Sequence, residues 1–271
     1  MSATLSPTRG SVLRAMAAIE GEVMSTEGIT ATAVDSGWRA IYRTGGISAI
    51  ILGASYIVIT ALYILAGAVP SGGGKDWLDY VVGQQALWWA IVALSVLTDI
   101  LFVPVSAALY VALKPVNRNA MLVGIGFLVL FVVLDLAVTW PNYAALITLS
   151  GAYGAAADEP QRTAQIAAAN YPSAVLTSSL FAIYAILVPS LGILVIGLVM
   201  LRGTFSRTEA YLGVLTGILG IISVVGPFFA SALGTVVIIT SVLTTVWILL
   251  VGYRLIRLGQ LRFLPGTSSQ R

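Results

Sequence analysis

The stretch that decides the fold is AYLGVLTGILGIISVVGPFFASALGTVVIITSVLTTVWILLVGY, residues 210–253, which contains no charged residue. A helix needs about 20 apolar residues to cross the hydrocarbon core of a bilayer. The stretch is too long for one such helix, and Gly226, Pro227 and Gly234 interrupt it near its middle. It therefore predicts two membrane-spanning helices joined by a tight turn.

The composition of the whole chain is that of a protein whose main solvent is lipid. It is 58% hydrophobic and only 9% charged, with a net charge of +3, whereas soluble domains carry about 25% charged residues. So small and dispersed a positive excess argues against nucleic acid as a partner. We expect an all-α transmembrane bundle whose first partner is the lipid bilayer.

Four further apolar runs bring the predicted number of spans to six. They divide the chain into a cytoplasmic segment (1–44) with a short amphipathic helix at 11–24, a six-helix transmembrane domain (45–258) and a cytoplasmic tail (259–271). No apolar run precedes the first span, so that span should be an uncleaved anchor. The six spans lie at roughly 46–69, 86–113, 120–142, 172–201, 210–228 and 233–256.

The positions of the basic residues predict the orientation. With the N-terminus inside, only Lys75 and Arg162 of the 14 Lys and Arg residues fall in outer loops. The others flank the spans on the inner side, as the positive-inside rule requires. Both termini should therefore face the cytoplasm of a prokaryotic cell, with the spans in its cell membrane.

The outer loops predict two short helices and an aromatic belt. Residues 76–80 are typical of an interfacial helix, and Asp158 is a good N-cap for a helix that should end near Asn170, before Pro172. Aromatic residues fall at the outer ends of the predicted spans, where such rings commonly meet the lipid headgroups. They include Trp88, Trp89, Trp140, Tyr143 and Tyr171.

The absence of Cys and His from the sequence excludes much chemistry. It rules out disulfides, thiolate nucleophiles, iron–sulfur clusters, His-ligated zinc and a Ser-His-Asp triad. Both lysines, Lys75 and Lys114, fall outside the predicted spans, which excludes an intramembrane retinal Schiff base. We expect no enzyme activity, no metal and no cofactor.

Two acidic residues, Asp99 and Asp135, lie inside predicted spans, where each costs about 2.5–3.5 kcal/mol. Asp99 precedes Leu113 by 14 residues and Asp135 follows Asn119 by 16. At about 1.5 Å per residue their depths differ by only roughly 3 Å. Because a short loop joins these spans, the two carboxyl groups should face each other near the bilayer centre.

Helical periodicity places other polar side chains on the helix faces that carry Asp99 and Asp135. Two close carboxylates cannot both ionise cheaply in a low dielectric, so one should hold a proton. One interpretation is a proton relay or monovalent-cation site; the other is protonated acids that only hydrogen-bond across helices. The face of Asp99 carries Ser95, Ser106 and Tyr110, and that of Asp135 carries Thr139 and Asn142. Further polar residues at similar depth are Tyr56, Thr60, Tyr184, Thr240, Ser241 and Thr244.

The fifth predicted span carries the small-residue motif Gly213, Gly217 and Gly220. Glycines at this spacing let two helices approach closely. We expect packing against the sixth span, since the turn between the two is short. A dimer interface is the alternative.

Three segments carry a family resemblance: Arg43–Ile47, Leu109–Arg118, and Leu212–Val214 after Arg207. Together they resemble a bacterial and archaeal family of six-span integral membrane proteins known only as a domain of unknown function. The resemblance covers roughly residues 43–259. It implies the six-span fold and no activity.

Two functions remain open from the sequence. The first is a non-enzymatic accessory or interaction subunit that binds other membrane proteins, lipids or pigments. The second is a small proton- or cation-coupled transporter that uses Asp99 and Asp135. A transporter should keep a polar cavity that reaches both acids, whereas an accessory subunit should have a sealed bundle and a broad apolar flank.

Overall fold

The computed structural model describes residues 38–260, which form helices and no strand. The predicted helix at 11–24 and most of the predicted tail lie outside the described residues. The helices are α1 (Arg39–Ala66), α2 (Gly74–Val81), α3 (Gln85–Gly154), α4 (Glu159–Thr177), α5 (Ser179–Met200), α6 (Arg207–Val225) and α7 (Val236–Gln260).

Within the described residues, five helices are long and apolar enough to cross a membrane: α1, α3, α5, α6 and α7. Helix α3 has 70 residues and would be about 105 Å long if straight, several times the roughly 30 Å hydrocarbon core. It is not straight, because the backbone at Asn117 is extended, with φ −158° and ψ 94°. Asn117 thus divides α3 into a first arm (85–116) and a second arm (118–154).

The two arms of α3 lie antiparallel. The rings of Trp88 and Tyr143 stack with centroids 5.3 Å apart, and those of Phe102 and Phe131 meet edge-on at 5.9 Å. Residues near the start of the first arm therefore contact residues far along the second. The second arm extends to Gly154, beyond the predicted span end at 142, because Leu146, Ile147 and Ser150 are buried where it packs against α2 and α4.

Helices α2 and α4 cover one end of the bundle, here called the capped end. The Gly74 N–H donates a hydrogen bond of 3.0 Å to Asn170 Oδ1. Trp77 and Leu78 of α2 are fully buried, since the short helix turns its apolar face toward the bundle. The predicted helix at 76–80 is confirmed.

The structure confirms the predicted start of α4 and corrects its end. Asp158 caps the helix by accepting a hydrogen bond of 2.8 Å from the Gln161 N–H. The helix then passes through Pro172 to Thr177, so the prediction that it ends near Asn170 was wrong. The chain breaks instead at Ser178, where the backbone is extended and the hydroxyl accepts a hydrogen bond from the Phe181 N–H, and α5 starts at residue 179 rather than 172. Proline is tolerated inside membrane-protein helices because neighbouring groups satisfy the freed carbonyl.

The charge-free stretch forms two helices, as predicted. Helix α6 ends at Val225, and two 3-10 turns, Gly226–Phe228 and Ser231–Thr235, lead into α7. The predicted break at Gly226, Pro227 and Gly234 is confirmed.

The other end of the bundle, here called the basic end, brings together loops that are distant in sequence. Arg254 donates a hydrogen bond of 2.6 Å to the Thr204 carbonyl, and Gly203 lies against Leu113. Glycines also allow α1 to approach α7 here, since a Cβ on Gly46 would lie 2.9 Å from the Gly252 carbonyl oxygen. The basic end thus unites the segments 114–118, 202–207 and 254–257.

Candidate functional site

Two helices depart from α-helical geometry where the candidate site lies. Asp135–Thr139 of α3 forms a π turn, in which the Trp140 N–H bonds to the Asp135 carbonyl. Ile183–Leu187 of α5 forms a second π turn. An i→i+5 bond adds a residue to one turn, and such turns occur frequently at functional sites.

The two acids predicted to lie within spans, Asp99 and Asp135, are both buried in the structure. Asp99 is 2% exposed and Asp135 is 6% exposed, and their carboxyl groups interact electrostatically. The indole Nε1–H of Trp140 donates a hydrogen bond of 2.6 Å to Asp99 Oδ2. The π turn makes this contact possible, because it places Trp140 a single turn after Asp135.

Asp135 is less fully satisfied than Asp99. Within the described part of the chain its Oδ1 atom is buried and has no hydrogen-bond partner. One turn further on, the Thr139 hydroxyl donates a hydrogen bond of 3.2 Å to the Tyr184 hydroxyl. Since Thr139 and Tyr184 belong to the two π turns, this bond joins them beside the acid pair.

The other residues predicted for this site do not bond to the acids. Ser95 and Ser106 are buried and Tyr110 is half-buried, and the Asn142 amide donates to the carbonyl of Val138 in its own helix at 2.7 Å. Across residues 38–260, no hydrogen bond joins any of the four to Asp99 or Asp135. The acid pair therefore has Trp140, Thr139 and Tyr184 as its neighbours rather than a continuous polar stripe.

Sequence reasoning assigned Trp140 to a lipid-facing belt and so missed its role. The belt prediction was wrong for the core of the aromatic group: Trp88 and Tyr143 are buried, and Trp140 stacks on Tyr143 with centroids 5.7 Å apart. Trp77 meets both Trp88 and Tyr143 edge-on. A continuous aromatic cluster therefore connects α2 at the capped end with the donor to Asp99. Trp89 and Tyr171, by contrast, are exposed.

A cavity of about 310 Å³ lies among α1, α3, α5 and α7. Five of the six further polar residues predicted at this depth line it: Tyr56, Thr60, Thr240, Ser241 and Thr244. Neither Asp99 nor Asp135 is a lining residue. The nearest link is Tyr56, which lines the cavity and lies near both acids.

The glycine motif of α6 packs within the chain, mainly against α5. A Cβ on Gly217 would lie 2.8 Å from the backbone nitrogen of Leu194, and Gly220 abuts Ser190. Gly213 lies against both Gly197 of α5 and Trp247 of α7. The motif thus serves the α5–α6 contact more than the expected contact with the last helix.

These features define an all-α protein with several apolar helices of membrane-spanning length around a buried pair of acids. The chain belongs to the family described as "Domain of unknown function (DUF4386)", which matches residues 51–259. The resemblance seen in the sequence is therefore confirmed. No curated protein and no solved structure matches the chain.

Proposed function

We propose that the chain crosses the cell membrane six times, with the basic end and both termini in the cytoplasm. The antiparallel arms of α3 support two crossings by that helix, and the other four long helices supply one each. Loops 67–73 and 155–158 adjoin α2 and α4 at the capped end, where the Gly74–Asn170 bond lies. Among residues 38–260, all Lys and Arg except Lys75 and Arg162 lie near the opposite end, as the positive-inside rule requires of a cytoplasmic face.

Within that membrane we propose a non-enzymatic interaction subunit, a protein that acts by binding other membrane proteins rather than by transport or catalysis. The burial of Asp99 and Asp135 outside the cavity carries this proposal. A relay group must exchange protons or ions with one side of the membrane, whereas these acids are buried and do not line the cavity. Their arrangement instead suits hydrogen bonding between helices.

Helix α7 offers the surface for such a partner. Among the five long helices it is the least buried within the described chain. Its outward side is apolar and is formed by Ile238, Ile239, Val242 and Val246. Helix association in lipid depends on close side-chain packing rather than on the hydrophobic effect, so a change of shape on this side should disrupt it.

The test is extraction of the protein from native membranes in mild detergent, followed by measurement of every component that co-purifies in fixed ratio. We expect a stoichiometric membrane-protein partner that is lost from V242W and retained by V133W. The two positions are matched, since Val242 is 56% exposed and Val133 is 55% exposed. A protein that purifies alone or only with copies of itself would overturn the proposal.

Proton- or cation-coupled transport is the second candidate function. It is favoured by Tyr56, which connects the cavity to the acids, and by the two π turns that meet beside them. Proton flux into liposomes containing the purified chain distinguishes the candidates. Flux that is present in the wild type and abolished in both D99N and D135N would establish transport; the interaction proposal expects none in any variant.

A further inference from the structure

The cavity among α1, α3, α5 and α7 has a wall of hydroxyl groups that all make the same kind of hydrogen bond. Each aliphatic hydroxyl donates its proton to the carbonyl four residues earlier in its own helix, at 2.6–3.0 Å. The six residues are Thr60, Ser190, Thr240, Ser241, Thr244 and Thr245.

This bonding pattern determines what the wall can recognise. A hydroxyl carries one proton and two lone pairs, so an oxygen whose proton is committed can only accept. Four of the six lie on α7 as two i,i+4 pairs, Thr240 with Thr244 and Ser241 with Thr245, which form a compact group of acceptors. A ligand that meets this group must bring its own hydrogen-bond donor.

The rest of the lining is apolar or aromatic. Phe102 and Phe131 lie edge to face, and Tyr56 tilts against Phe102 with centroids 6.5 Å apart. Among residues 38–260, no charged side chain lines the cavity, so an ionic ligand would lack a counter-charge in a low-dielectric site. Its volume is at the lower end of the range for ligand pockets, about 300–1,000 Å³.

The cavity lies where α1 and α7 diverge. At the basic end α1 and α7 are in close contact, with Gly46 against Gly252 and Gly53 against Leu249. Toward the capped end the cavity lies between Thr60 of α1 and Val237 of α7. The acceptor group of α7 lines this space, which is the position from which a molecule dissolved in the bilayer could be held.

We propose that this cavity binds a neutral amphiphile through its hydroxyl group, which donates to the acceptor oxygens of α7 while its hydrocarbon part contacts Phe102 and Phe131. This goes beyond the proposed interaction with partner proteins, and its test needs only the purified chain. A free alcohol and an uncharged lipid with a free hydroxyl, such as a diacylglycerol, present the same chemistry.

The experiment uses photoreactive diazirine derivatives of two isomers, 1-octanol and heptyl methyl ether, on the full chain in nanodiscs. The isomers have the same atoms and similar apolarity, but only the alcohol can donate a hydrogen bond. We expect the alcohol to label peptides that contain Tyr56–Tyr63 and Val237–Thr245, saturably and in preference to the ether. A preference of roughly threefold to tenfold corresponds to one neutral hydrogen bond.

Substitutions test whether labelling by the alcohol depends on the hydroxyl groups of α7. Ser241→Ala combined with Thr244→Val should reduce alcohol labelling by a similar factor and leave ether labelling unchanged. Thr148→Val is the matched control, since the Thr148 hydroxyl makes the same kind of bond to Ala144 at 2.9 Å but lies outside the cavity. Equal labelling by both isomers, unchanged labelling of the double variant, or labelling spread over all lipid-facing helices would overturn the proposal.

Competition identifies the source of the natural ligand. Diacylglycerol added to the nanodiscs should displace the alcohol label if the occupant is a lipid, whereas only short free alcohols should displace it otherwise. Whether the ligand is a lipid or a free alcohol, the donor hydroxyl is the group that the cavity recognises. A negative labelling result would leave the co-purification test of the interaction proposal unaffected, so the two can fail separately.

Discussion

The side chain of Trp140 determines how the buried acid pair is stabilised. Replacement by Phe keeps the stack on Tyr143 but removes the 2.6 Å hydrogen bond to Asp99. Because a buried polar group is then left without its donor, we expect a loss of about 1–3 kcal/mol in the free energy of unfolding. Thermal unfolding of the purified protein in detergent measures this loss.

The control for this variant is Trp89→Phe. Trp89 is 46% exposed, and its substitution should leave stability within about 0.5 kcal/mol of the wild type. Asp99→Asn should be milder than Trp140→Phe, because the amide oxygen of the new side chain can still accept from the indole. Equal effects of the two tryptophan substitutions would show that the hydrogen bond contributes nothing.

For single residues, the sequence predicts the depth of a side chain along its helix better than it predicts the contacts of that side chain. Counting residues from the helix ends predicted that Asp99 and Asp135 lie at one level, and the structure buries both side chains. The role of Trp140 could not be predicted, because a regular helix places a residue five positions after Asp135 on another face. Only the π turn places Trp140 on the face that carries Asp135. Neither the presence nor the position of the π turn follows from helical periodicity.

Between helices, the close approach of α5 and α6 at Gly217 can be tested by substitution. A methyl group there would lie 2.6 Å from Leu194 Cβ and 2.8 Å from the Leu194 backbone, so the helices would have to separate. We expect Gly217→Ala to destabilise the protein by about 1–3 kcal/mol. Gly126→Ala is the control, since no atom of the described chain lies within 4 Å of its added methyl and alanine favours helix.

The same pair of variants separates packing from helix propensity. Propensity alone predicts that both substitutions stabilise the chain, by up to about 1 kcal/mol. Opposite signs in thermal unfolding would therefore assign the loss at Gly217 to the α5–α6 contact. A Gly217→Ala variant stabilised as much as Gly126→Ala would mean that the two helices separate at no measurable cost.

The start of α6 depends on a reciprocal cap. The Ser206 hydroxyl accepts from the Glu209 N–H at 3.3 Å, and Glu209 Oε2 accepts from the Ser206 N–H at 2.7 Å. Ser206→Ala should cost about 1 kcal/mol, whereas Glu209→Gln should cost less because the amide oxygen still accepts. Hydrogen exchange at the first turn of α6 measures this, and unchanged protection in Ser206→Ala would contradict it.

Helix ends show what could and could not be predicted at the element scale. The break at Gly226 and Pro227 and the cap at Asp158 follow from local chemistry, and the structure has both. The boundary between α4 and α5 does not, because residues 171–177 are apolar enough to continue a span and Pro172 suggests a start. Ser178 ends the helix there by its backbone conformation, which no change of composition marks.

For the whole molecule, the passage of α3 decides between five and six crossings. Two crossings place Ser71 and Ala157 on the same side of the membrane, and one crossing places them on opposite sides. The packing of α2 on α4 and the antiparallel arms both favour the same side. Under the positive-inside rule, the basic residues near the other end favour an outward position for that side.

Because the chain contains no cysteine, a single introduced cysteine reports its own position. We expect S71C and A157C to react with a membrane-impermeant maleimide added to intact cells, and R118C to react only after the cells are permeabilised. The variant Thr148→Cys is the control for a cysteine within a helix, since Thr148 lies in the second arm of α3 and not in a loop. Reaction of S71C and A157C from opposite sides would mean that α3 crosses once, which would overturn the six-span topology and separate the arms that hold Asp99 and Asp135. Reaction of both from the same side, with R118C protected, would require the chain to cross, turn at Asn117 and return.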